Sequence, residues 1–229
     1  MAIIKKETSK GVELTLKGRS LWAKLTEPDF HFDKEGTYST KLILTDDDRD
    51  ELQEILDAIQ EQAVQIAVDE AAKKRQKLKP ENVKRADLSL KELIDKETGE
   101  GTGEWAYNCK CKASGVTKEG REWARKVPLY DAKAQFITNT RGLEIWNGSI
   151  LKVSIRLTPF FTSGLGAGVK TQLLAVQILE LASGGRDASS FGFGAEEDGF
   201  AYEDAPAEGQ LPWSDADADA DGEGGQADF

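Results

Sequence analysis

Residues 150–158, ILKVSIRLT, set the reading of this chain. Leu151, Val153, Ile155 and Leu157 alternate with Lys152, Ser154 and Arg156, the two-residue period of a strand with one face in a core and one in water. The wet face is basic. Residues 159–168, PFFTSGLGAG, read as a Gly-rich hairpin connection carrying Phe160 and Phe161, and 169–181 as a long final strand. Adjacent residues of an extended segment point opposite ways, so one of the two phenylalanines should face solvent.

A second segment has the same design. In 105–114, WAYNCKCKAS, Tyr107, Cys109, Cys111 and Ala113 alternate with Asn108, Lys110, Lys112 and Ser114. The two cysteines share a face and read as buried thiols, because zinc would need two further soft or imidazole ligands and the chain offers only His31. Upstream, 37–44 (TYSTKLIL) is a strand with Tyr38, Thr40, Leu42 and Leu44 on one side and Ser39, Lys41 and Ile43 on the other. The opening pieces 12–16 (VELTL) and 21–25 (LWAKL), separated by Gly18, are two short strands or one bent strand. Downstream, 116–121 is a loop, 122–130 (EWARKVPLY) another strand, and 145–149 a turn.

Between these strands lies a helix. Thr45 or Asp46 can cap it, and Asp47, Asp48 and Asp50 favour its positive end. Leu52, Ile55, Leu56, Ile59, Ala63, Ile66 and Ala67 recur at three- and four-residue spacing, one apolar stripe over six turns or more. Residues 71–85 carry seven Lys and Arg, with Pro80 breaking the helix, and fit a solvated helix end or a nucleic-acid contact equally well. Residues 87–103 are polar and Gly-punctuated, the rest of an insertion spanning about 45–103.

Charge divides the chain in two. Residues 183–229 hold thirteen Asp and Glu against Arg186; removing them from 30 basic and 41 acidic side chains leaves 29 and 28. The body is therefore near neutral, and an acidic sequence pI of 4.8 does not exclude a nucleic-acid partner. An acidic tail can screen a cationic groove, dock on basic partners or simply solubilise. No apolar run approaches the roughly 20 residues of a membrane span, nor does the start resemble a signal peptide, so a soluble intracellular chain is expected.

Strands with a basic face beside an apolar face point to a small barrel with a cationic wall, as OB-folds use for oligonucleotides. Unpaired bases also need rings to stack on. Trp22, Phe30, Phe32, Tyr38, Trp123, Phe160 and Phe161 lie in or beside strand ends and loops, although Trp22 and Tyr38 fit a core role as well. The candidate DNA-binding set is Lys110, Lys112, Lys152, Arg156, Phe160, Phe161, Tyr38, Lys41 and Trp22. Enzyme chemistry finds little support. His31 has no partner in view, Asp46-Asp47-Asp48 reads as a helix start, and 164–168 (GLGAG) joins two strands where a nucleotide loop would open a helix. Neither a metal nor a cofactor is expected.

These residues also carry a resemblance. Gly166-Ala167-Gly168-Val169-Lys170 with its continuation TQLLAVQILEL, preceded by LKVSIRLTPF, resembles the closing hairpin of the single-stranded DNA-binding proteins of short-tailed bacteriophage replication systems. Pro28-Asp29-Phe30, Gly36-x-Tyr38, Lys110-Cys111 with Ala113-Ser114, and the tail ending Asp228-Phe229 fit in the same order, from about Leu21 to Phe229. The resemblance implies an OB-fold with a long inserted helix, sequence-tolerant single-stranded DNA binding, and dimers in which the tail takes part. It also implies tail contacts with the phage DNA polymerase and helicase-primase, and DNA-binding roles for Lys110, Lys152 and Phe160. Glu35, Asn108 and a Phe160 loop one residue shorter depart from the pattern.

The expected protein is mainly β: a five-stranded OB-fold barrel over 1–182 with a long inserted α-helix, then a disordered acidic tail over 183–229. Its expected role is sequence-independent binding of single-stranded DNA in phage replication, recombination and repair, in the cytoplasm of the infected host. In the tail, Asp215, Asp217, Asp219, Asp221, Glu223, Asp228 and Phe229 are the candidate partner-binding residues. The alternative is a protein-interaction adaptor whose barrel is only a scaffold.

Overall fold

Alternating residues pair into ladders where the pattern is long enough to bury a full row. The computed structural model describes residues 3–31 and 33–182. β1 (Ile4–Thr8) and β2 (Gly11–Asp29) form an antiparallel hairpin, and β3 (Thr37–Ile43) returns along β2 before α1 (Asp46–Lys73). β4 (Leu90–Ile94) and β5 (Gly101–Lys112) follow the helix. A small separate hairpin, β6 (Ser114–Val116) and β7 (Glu122–Ala124), precedes the two-residue β8 (Leu129–Tyr130). The chain then makes its longest hairpin, β9 (Ile150–Thr162) and β10 (Gly166–Glu180).

The five long strands stand in the order β5-β3-β2-β9-β10, with β4 outside β5, β8 outside β10 and β1 on β2. That is the strand order of an OB-type barrel, widened by three short strands. Among the described residues no ladder joins β5 to β10; a hydrogen bond between the Tyr107 and Thr171 hydroxyls spans that seam instead. Inside, Leu14 and Leu16, Leu42, Tyr107 and Cys109, and Leu151, Val153, Ile155 and Leu157 are all buried, with Leu173, Val176 and Ile178 from β10. Each large apolar side chain so buried contributes about 1.5–3 kcal/mol.

The helix starts at Thr45, whose hydroxyl accepts the Asp48 N–H at 3.3 Å. Leu52, Leu56 and Ile59 join the barrel core. One or two turns further on, Ala63, Val64 and Ala67 make a second cluster with Val83, Ala167 and Phe161. Gln60, buried between them, donates to the Ala86 and Ala167 carbonyls at 2.8 and 3.2 Å, which fastens the chain after the helix to the start of β10.

One alternative is decided and three expectations change in detail. The opening pieces are one bent strand of 19 residues, with register shifts where it bends. Residues 122–130 are two strands, because β7 pairs with β6 while β8 pairs parallel with β10, and Pro128 between them has no N–H to continue a ladder. Phe160, Phe161 and Thr162 belong to β9, so the connection is only three residues. The polar stretch 87–103 contains β4 and the start of β5. β4 is an edge strand with a single buried side chain, Leu90, and so leaves no visible alternation.

Candidate nucleic-acid interface

The outward residues of β3 and β5 meet the β9–β10 hairpin across the seam. Ser39 and Lys41 from β3, Asn108, Lys110 and Lys112 from β5, and Phe160 and residues 169–172 from the hairpin line an open groove of about 950 Å³. The bend of β2 adds Trp22, and β7 with the residue after it adds Trp123 and Arg125. Strand alternation is what sends Lys110 and Lys112 outward while Cys109 and Cys111 turn in. Burial pushes both thiols up, Cys111 despite the opposing charge of Arg125.

The groove's cations are not equivalent. Lys110 and Lys170 are exposed and have no ion-pair partner among the described residues. Lys112 is engaged by Glu35 and, at 3.6 Å, by Asp33; the hydrogen bond from its ammonium to Glu35 holds it above the ordinary lysine value. Lys41 stands 4.7 Å over the Trp22 ring and Arg125 5.2 Å over the Trp123 ring, so two cations lie against rings.

Two rings rest on glycine. A Cβ on Gly168 would stand 2.8 Å from Phe160 Cζ, and one on Gly115 2.8 Å from Trp123 Cζ2. Each ring lies against a bare cross-strand backbone at its register partner. This leaves Phe160 and Trp123 on the groove wall rather than in the core.

Of the nine candidate residues, the structure brings together Trp22, Lys41, Lys110, Lys112 and Phe160. Tyr38 is corrected: at 3% exposure it packs in the core, and burial, then Cys111 and Glu27, raises its phenol. It alternates with Ser39 and Lys41, which line the groove while Tyr38 does not. Phe161 packs under α1. Lys152 and Arg156 share the outer face of β9 with Phe160 but do not line the groove; Lys152 stands between Lys17 and Gln177, and Arg156 donates to Glu13 at 2.6 Å. Arg125 and Lys170 were missed, though the i, i+2 spacing of Trp123 and Arg125 was visible. Phe30 is 60% exposed outside the groove. Phe32 and the tail candidates Asp215, Asp217, Asp219, Asp221, Glu223, Asp228 and Phe229 lie outside the described residues. Among the described residues no side-chain cluster is arranged to hold a metal ion, and no helix is long and apolar enough to cross a membrane.

An OB-type barrel with a cationic, ring-lined groove has the architecture of single-strand nucleic-acid binders. The family model described as "Single-stranded DNA-binding protein, Bacteriophage T7" matches residues 19–181, and the chain belongs to that family. No curated protein sequence matches it significantly. Among solved structures it is similar to gp2.5, a single-stranded DNA-binding protein encoded by bacteriophage T7. That match has a TM-score of 0.60 and 24% identity over 87% of this chain and 100% of the other. The single-stranded DNA-binding protein of bacteriophage Enc34, in complex with ssDNA, matches at TM-score 0.46 and 17% identity, over 78% of this chain and 95% of the other.

Proposed function

We propose that the groove binds single-stranded DNA without sequence preference, phosphates on Lys110 and Lys170 and bases on Trp22, Trp123 and Phe160. The observation that carries this is the juxtaposition across the seam of two lysines without an ion-pair partner among the described residues and three rings on the groove wall. Every base offers a π-face, so stacking tolerates any sequence, while the lysines follow the backbone. Lys112 must exchange Glu35 for phosphate and so contributes less. Titration of intrinsic tryptophan fluorescence with oligo-dT and with a mixed-sequence strand tests the proposal. Quenching by both, lost as salt rises, is expected; no quenching at low salt overturns it in favour of the adaptor.

Composition supports a second part of the proposal. The thirteen acids of 183–229 compete with DNA for the groove, and DNA frees the tail for the phage DNA polymerase and helicase-primase. The chain then acts in replication, recombination and repair in the cytoplasm of the infected host, as a homodimer in which the tail takes part. Removal of residues 210–229 is expected to tighten DNA binding at low salt; equal affinity with and without them across salt concentrations rejects the competition.

A further inference from the structure

β2 is bent at a residue poorly suited to the bend. Trp22 stands at φ 49°, in the left-handed region that bulky side chains avoid, within the register shift between Leu21 and Lys24. The bulge turns the ring outward, 51% exposed on the groove wall. A glycine would meet the backbone requirement with less strain, and an inward ring would gain more from burial. Strain and exposure at one residue are the mark of a functional constraint.

The bend is held from outside the sheet. Asn147 Oδ1 accepts the Trp22 N–H at 2.6 Å, the Gly148 N–H donates to the Ser20 carbonyl at 2.9 Å, and the Ser20 N–H to the Ser149 carbonyl at 2.8 Å. Ser20 Oγ also donates to the Trp146 carbonyl at 3.2 Å, and Ser20 and Ser149 are buried. The loop 146–149 therefore clasps β2 at Ser20, two residues ahead of Trp22, and at Trp22 itself. Lys41 covers one face of the Trp22 ring, so a base has the other.

We propose that Asn147 is the positioning residue of a nucleobase-stacking subsite formed by Trp22 and Lys41. By accepting the Trp22 N–H it holds the strained backbone and sets the ring in the groove before DNA arrives, which removes an ordering cost from binding. This rests on the groove being the DNA site. Asn147 need not touch DNA, and its neighbours in the loop do not line the groove.

The test uses the full chain labelled with 5-fluorotryptophan, the Trp22 resonance being assigned by Trp22→Phe. Asn147→Ala is expected to shift or broaden that resonance while those of Trp105 and Trp123, which report the fold, stay put. Affinity for oligo-dT falls about tenfold, the scale of one weakened base stack, with the salt slope unchanged. Asn147→Asp keeps an acceptor oxygen and retains the wild-type resonance. In a Trp22→Ala background, Asn147→Ala adds nothing further. The latch is overturned if Asn147→Ala leaves both affinity and resonance as in wild type, or if its loss persists undiminished in that background. A wild-type protein that fails to bind oligo-dT rejects the groove itself, a result distinct from a binding protein with a silent Asn147→Ala.

Discussion

β5 and β9 both alternate a buried apolar row with a row of lysine or arginine, yet only the β5 row lines the groove. β9 runs between β2 and β10 with ladders on both sides, and its basic row meets Glu13, Lys17, Gln172 and Gln177 across those ladders. Glu13 takes Arg156. β5 is paired by β4 only as far as Tyr107, and beyond it borders the seam that no ladder closes among the described residues, so its lysines look across at β10 rather than along a continuous surface. A basic row becomes one wall of a cleft where the sheet is interrupted, and remains an ordinary wet face where it is not.

The largest effect concerns the inward face of β5. Burial holds the Tyr107 phenol and the Cys109 thiol above their ordinary values, so the folded protein keeps these protons longer than the unfolded chain. The stability they contribute is fully present below the ordinary thiol value of 9.0 and is lost as pH rises through the raised folded values. Denaturant unfolding should give a level free energy from neutrality to that value and a steep fall above it. Cys109→Ala removes the more deeply buried of the two raised thiols and should make the fall shallower. An unchanged profile in the variant would place the alkaline sensitivity elsewhere.

Next in size is the one β9 residue that reaches the groove. Phe160→Ala should cost about 1–3 kcal/mol of single-stranded DNA binding, measured by titration, with little change in salt dependence. A smaller effect on affinity but a larger one on salt follows from removing the cations at the seam. Lys110→Ala with Lys170→Ala should lower the slope of log K against log salt by about 1.4, two contacts at about 0.7 each on a single strand. Smallest for DNA is Lys152→Ala with Arg156→Ala, for which the slope should stay at the wild-type value. Arg156→Ala alone should instead lower stability by about 1 kcal/mol, because Glu13 is only about a quarter exposed and loses its partner. A slope change from the β9 pair equal to that from Lys110 and Lys170 would break the comparison.

Much of this was legible in local pattern. Period-two alternation placed β3, β5 and β9 and separated the two faces of each, since a strand leaves each residue only two directions. Apolar spacing and the Thr45 cap placed α1, and near-neutral charge over 1–182 kept nucleic acid among the possible partners. β1 and β4 escaped because short edge strands bury too little to show a period.

What the pattern could not assign was neighbourhood. Whether a basic row faces a cleft depends on which strands flank it and where the barrel stays open. That order is decided by contacts far apart in sequence, Tyr107 with Thr171, Glu13 with Arg156 and Asn147 with Trp22. Each joins residues more than sixty positions apart. Local pattern told which side chains turn outward; which of them share a groove was settled by long-range packing, because the free energy that seats one strand beside another lies in contacts that no local window contains.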